Sequence, residues 1–138
     1  MPMEICVLSD RALASIADWQ AAIDAEGFPL TLSNGVSLQG LSGFLPMQLH
    51  GRKAGCECGH IDLDDVVRIY GETTVNRRWA RALLLRFGDD LVACLCAYMS
   101  GAAYARATEG YVLDCAEGRI LTPREAANVV RELSKFRR

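Results

Sequence analysis

The chain has no apolar run long enough to cross a membrane. Its most apolar stretch, Leu91 to Ala105, is broken by Ser100 and Gly101 and falls short of the ~20 residues a spanning helix requires. The first residues carry Glu4 and Asp10 with no basic region ahead of an apolar segment, so a secretory signal is not expected. The expected compartment is therefore the cytoplasm, where six cysteines stay reduced. There is no low-complexity tract, and 51% of the residues are hydrophobic, which excludes a disordered chain. A surplus of one charge sign is also missing. The formal net charge of −2 excludes a surface built wholly for nucleic acid, although it permits a local basic patch.

Catalytic signatures are equally scarce. There is no Gly-rich phosphate loop, Walker motif or nucleophile elbow. Only His50 and His60 are available as histidine bases, and neither stands in a recognisable frame with a nucleophile and an orienting group. Non-catalytic binding is thus the first expectation.

The 138 residues suffice for one domain, spanning 1–138, that buries roughly 70% of its unfolded surface and needs no metal or disulfide to fold. "EICVLSD" reads as a short buried strand. Ser9 or Asp10 is placed to cap a helix over residues 10–26, whose apolar positions Leu13, Ile16, Trp19 and Ile23 recur at helical spacing. "FPLTL" reads as a strand, put at an edge by Pro29. From Val36 to Gly55 the chain is interrupted by four further glycines and Pro46, which predicts irregular structure with short extended pieces.

"IDLDDVVRIYG" predicts a short helix from Asp62 to Gly71. Its acidic residues suit a helix start better than a calcium loop, for which the downstream Gly and Glu are lacking. "RALLLRFG" predicts a strand, and Asp89 or Asp90 would cap a long Ala-rich helix over residues 90–108. Tyr111 to Leu121 predicts a hairpin turning through Glu117-Gly118. "TPRE" predicts a capping box, with Thr122 at the N-cap, Pro123 at the first helical position and Glu125 at the third. Together these elements predict an α+β fold, mainly antiparallel, with helices packed on the sheet and the Ala-rich helix across it.

Two constellations carry possible chemistry. In "GCECGH" an extended backbone puts Cys56, Cys58 and His60 on one face with Cα atoms ~7 Å apart. Zinc needs ligands at ~2.0–2.3 Å in a tetrahedron. The chain would have to curl at Gly55 and Gly59, with His50 as a fourth ligand, to make a metal centre. The competing reading is a strand face whose cysteines are buried as small hydrophobes. Cys94 and Cys96, two apart on a helix, face different sides and form no joint site. In "NRRWAR", Arg77, Arg78 and Arg81 surround Trp79, as in a phosphate grip with a stacking platform. A solvated turn anchored by its tryptophan fits the same residues.

The succession "DWQAAIDAEGFPLTL", "GFLP…GCEC", "RALLLRFGDDL", an Ala-rich helix and "ATEGYVLDCAEGRILTPREA" resembles small uncharacterised bacterial proteins, some of which are similar to immunity proteins that neutralise a partner toxin. The resemblance implies a compact α+β protein without catalysis; separately, no cofactor and no membrane association are expected, and the expected partner is another protein. It carries over no functional residues. Beside this leading expectation stand two others: a small metal-binding protein or enzyme centred on Cys56, Cys58 and His60, and an accessory nucleic-acid binder using Arg77, Arg78, Trp79 and Arg81.

Overall fold

The computed structural model describes residues 3–75 and 77–136. The elements follow the chain as β1 (Met3–Ser9), α1 (Ile16–Ala25), β2 (Leu30–Leu32), β3 (Ser42–Leu49), β4 (Arg52–Ile61), α2 (Leu63–Tyr70) and α3 (Glu72–Val75). Then come β5 (Arg81–Phe87), α4 (Leu91–Thr108), β6 (Tyr111–Asp114), β7 (Arg119–Leu121) and α5 (Pro123–Ser134). The seven strands form one sheet in the order β2-β3-β4-β5-β1-β6-β7, with every neighbouring pair antiparallel. The fold is α+β, as the sequence predicts.

The first strand of the chain lies inside the sheet, between β5 and β6. Its residues 5–9 are all buried because both of its faces are covered. On the inner face, Ile5 and Val7 meet α4, with α1 and α5 beside that helix. A Cβ built on Gly101 would stand 3.0 Å from Ile5 Cδ1 and 3.2 Å from Leu85 Cδ1, so α4 crosses the sheet at van der Waals contact there. Trp19 docks α1 on α4: its indole N–H donates to the Ser100 carbonyl at 3.0 Å, and its ring meets Tyr104 edge-on at 5.4 Å. On the outer face, Cys6, Leu8, Ala82 and Leu113 are covered by Leu63 and Val66 of α2, Val75 of α3 and Trp79.

Local chemistry accounts for most boundaries. Asp62 and Asp90 accept from amides two residues on and start α2 and α4, and Gly71 at φ 85° ends α2. Thr122 and Glu125 exchange the two hydrogen bonds of a capping box at the start of α5. The expected 111–121 hairpin and the strand at β5 are also present.

Two expectations need correction. The first helix begins at Ile16, capped by Ser15, rather than at residue 10. Asp10 is engaged elsewhere, accepting from the Ala80 amide at 3.1 Å and pairing with Arg77. The Leu13 amide reaches the Tyr104 hydroxyl, so the chain from 10 to 15 is spent on tertiary contacts.

The stretch expected to be irregular is the largest hairpin of the fold, β3–β4. His50 and Gly51, at φ 51° and 77°, form the two-residue connection with left-handed backbone that matches strand twist. Pro46 is tolerated because of where its nitrogen points. The Pro46 carbonyl accepts from Ser33 on the β2 side, and a residue's N and O face the same neighbour in an antiparallel ladder. The missing amide therefore lies where β2 has already ended.

Candidate functional site

Helices α2 and α3 cover only part of the outer face, over β1, β5, β6, β7 and the Ile61 end of β4; over β2, β3 and the rest of β4 that face is open. Along β3, Leu45, Met47 and Leu49 are buried inward, whereas Phe44, Pro46 and Gln48 face out, and Phe44 is 60% exposed. They line a cleft of about 760 Å³ together with Thr31, Ser33, Asn34 and Lys53. The ring of Phe44 lies over Gly55, whose position a Cβ would share with Phe44 Cζ at 2.6 Å. Gly55 thus seats the aromatic against the sheet while leaving its outer side to solvent. Lys53 has no acidic partner among the described residues. Further across this face the charges neutralise each other: Arg86 pairs with Glu4 at 2.6 Å and stands opposite Glu57 in the ladder. The Glu4 hydrogen bond and charge raise the Arg86 pKa further above its ordinary value.

The cleft adjoins an unfinished sheet edge. The outward peptide groups of β2 are satisfied by one side chain: Gln20 accepts from the Leu32 amide at 2.7 Å and donates to the Leu30 carbonyl at 2.9 Å. That capping shields β2 from further pairing. Beyond Pro46, β2 no longer flanks β3. The peptide groups of Phe44 and Ser42, which alternate in phase with Pro46, face the vacated side.

Neither constellation singled out from sequence assembles as a unit. Cys56 and Cys58 face the inner core on β4 as a strand pair, 2% and 5% exposed, with Sγ atoms 3.8 Å apart. The hydrogen bond shared with Cys58, followed by burial, pushes the Cys56 thiol up from its ordinary pKa. His60 follows on the same side but turns its ring to the Leu38 carbonyl at 2.9 Å. His50 sits in the β3–β4 turn, six residues from Cys56 along a strand rising ~3.3 Å per residue, so roughly 20 Å away. It does not reach the cysteines as a fourth ligand. Among the described residues no three His, Cys, Asp or Glu side chains gather closely enough to hold a metal ion.

Comparison with family models, curated proteins and solved structures returns no match to this chain. The site therefore has to be read from its own geometry.

The arginine group divides across the sheet. Trp79 is 5% exposed on the outer face, packed on Tyr111 at 5.4 Å, with its N–H on the Val75 carbonyl. Arg77 lies 3.8 Å over its ring and is held by Asp10, and Arg78 pairs with Asp64 at 3.3 Å. A buried tryptophan offers no platform for a base, so these three do not make the expected stacking grip. Arg81 starts β5 and lines an inner-side cleft with His60 and Tyr104. One residue from each constellation thus meets in a place that neither motif marks. Phe44 and Lys53 escaped sequence reading because their stretch was not recognised as a hairpin. The "HG" pair with alternation on both sides was the signal for it.

No described helix is long and apolar enough to cross a membrane.

Proposed function

We propose that the protein is a non-catalytic binding protein of the immunity or regulatory type, acting in the cytoplasm through a protein partner. The observation that carries this reading is the open outer face of β2–β3–β4, with Phe44 60% exposed beside a cleft of about 760 Å³. An exposed aromatic lining a concave patch is the kind of residue on which binding energy concentrates. The free peptide edge at Ser42–Phe44 favours a partner that presents an extended strand, adding to the sheet by main-chain hydrogen bonds. Unpaired Lys53 favours an acidic residue on that strand. The six free cysteines accord with a reducing compartment.

The test is binding by a co-purified partner, re-measured with both proteins pure by calorimetry. Phe44→Ser and Lys53→Glu change exposed side chains and leave the inner core intact. The proposal expects each to weaken the complex at least about tenfold, the equivalent of ~1.4 kcal/mol. Equal affinity for both variants and the unaltered protein would place the interface elsewhere and remove the reading.

A further inference from the structure

A second cleft lies on the inner side, away from the proposed docking face, where β4 ends and β5 begins. Its volume is about 240 Å³, and it is lined by Leu13, Leu38, Gln39, His60, Arg81 and Tyr104 with small apolar neighbours. No Asp or Glu lines it. At ~30 Å³ per water in the liquid, that space matches about eight waters. That is room enough for phosphate or a short carboxylate.

Two donors on residues lining this space, the Arg81 guanidinium and the Tyr104 hydroxyl, have no acceptor among the described residues, whereas Gln39 donates to the Ala14 carbonyl and His60 Nε2 faces the Leu38 carbonyl. Arg81, like Arg52, Arg119, Arg124 and Arg131, has no acidic partner among the described residues, and of these it alone lines the cleft. Asp10, close by in the fold, is already engaged by Arg77 and the Ala80 amide. Tyr104 is 2% exposed. Its hydroxyl oxygen accepts from the Leu13 amide at 3.3 Å, but its own proton meets no acceptor among the described residues. Burial raises its pKa, while the Leu13 amide and the charge of Arg81 pull the other way. His60 faces a carbonyl through Nε2, and a carbonyl can only accept, so Nε2 carries the proton and Nδ1 remains available.

We infer that this cleft is a binding site for a small oxyanion, a phosphate or carboxylate group, held by the Arg81 guanidinium and the Tyr104 hydroxyl with His60 Nδ1 beside it. Arg81 supplies paired N–H donors that match two oxygens of such a group. Tyr104 adds a neutral donor whose position is fixed by Trp19 and Leu13. His60 Nδ1, the ring nitrogen not engaged by the Leu38 carbonyl, offers a further polar contact to the bound group. The three side chains come from β4, β5 and α4, so the site exists only when the sheet and α4 are assembled.

The test is a titration of ¹⁵N-labelled protein with inorganic phosphate and, separately, with acetate, at constant ionic strength set by chloride. The expected result is a saturable shift of the Leu13 amide and the His60 ring with at least one of the two, the pattern of response telling phosphate from carboxylate recognition. Arg81→Gln, an exposed substitution that leaves the core untouched, should weaken that response about tenfold or more, as loss of a hydrogen bond to a charged group does. Non-saturating shifts with both anions, or equal saturation in Arg81→Gln, would overturn the assignment.

Discussion

Replacing Gly55 by alanine tests how the outer face is built. Gly55 has φ 145°, a backbone conformation that side chains rarely adopt, and a Cβ there would collide with the Leu45 carbonyl oxygen and stand 2.6 Å from Phe44 Cζ. The ring can swing away, but the oxygen belongs to the ladder in which Leu45 faces Cys56. The backbone strain costs ~1–3 kcal/mol, and a displaced ladder hydrogen bond ~1 kcal/mol. The stiffer unfolded chain offsets ~0.4–1 kcal/mol. The net loss should be about 2–3 kcal/mol, which at a urea dependence of ~1–3 kcal/mol per M lowers the midpoint by ~1–2 M.

Gly59 in the same strand is the control. A Cβ there meets nothing within 4 Å, so Gly59→Ala should stay within ~0.5 kcal/mol of the parent. Adding Phe44→Ala to Gly55→Ala should recover only part of the loss, because the carbonyl obstacle remains. Equal urea midpoints for Gly55→Ala and Gly59→Ala would refute the placement of Gly55 beneath Phe44 and Leu45.

Five further outcomes are expected. Gly101→Leu should overpack α4 against Ile5 and Leu85 and cost ~1–3 kcal/mol by chemical denaturation, and an unchanged midpoint would contradict the close crossing. Thr122→Ala should lose ~1 kcal/mol through the unsatisfied Glu125 amide. The Thr122 backbone amide holds the Glu125 carboxyl below its ordinary pKa. Its contribution is therefore complete above that ordinary value near 4.5 and is lost as pH falls through the lower folded value, a dependence Glu125→Gln should abolish in acid titrations. Burial pushes Cys96 from 9.0 up to about 12, so the folded chain keeps a proton that the unfolded chain releases. Stability should then fall between about pH 9 and 12, less so in Cys96→Ala. In native alkylation followed by mass spectrometry, half-buried Cys94 and Cys115 should label before Cys6, Cys56, Cys58 and Cys96.

Elements whose signals are local were legible. Asp62, Asp90 and Thr122 act on amides two or three residues away, so the starts of α2, α4 and α5 follow from short words in the chain. The 111–121 hairpin and the β5 strand are local in the same sense. The α1 start was misplaced because the role of Asp10 depends on Ala80 and Arg77, some seventy residues on. The β3–β4 hairpin was missed because Pro46 and the glycines read as breakers. Only the short length of β2 makes Pro46 harmless, and only the ring of Phe44 fills the surface that Gly55 leaves bare. Cys56 and Cys58 were legible as a strand face by their spacing, since period two holds wherever the chain is extended.

By itself, then, the sequence determined the α+β class, the caps of α2, α4 and α5, the inward cysteines and the crossing of the Ala-rich helix over the sheet, because propensity, capping and periodicity act within a few residues. Tertiary structure alone decided that β1 lies between β5 and β6, that α2 and α3 cover only part of the outer face, and that the β3 edge stays unpaired. It also separated Trp79 from Arg81, taking them to opposite sides of the sheet, and brought Arg81 to His60 and Tyr104. The physical reason is that Trp79 lies in the connection before β5, where strand alternation does not fix its side, whereas Arg81 is on the strand, and residues far apart in sequence become neighbours through strand order and helix packing. A motif counted along the chain, such as "NRRWAR", can thus be divided by the sheet that contains it, and a cleft can be lined by residues no motif connects.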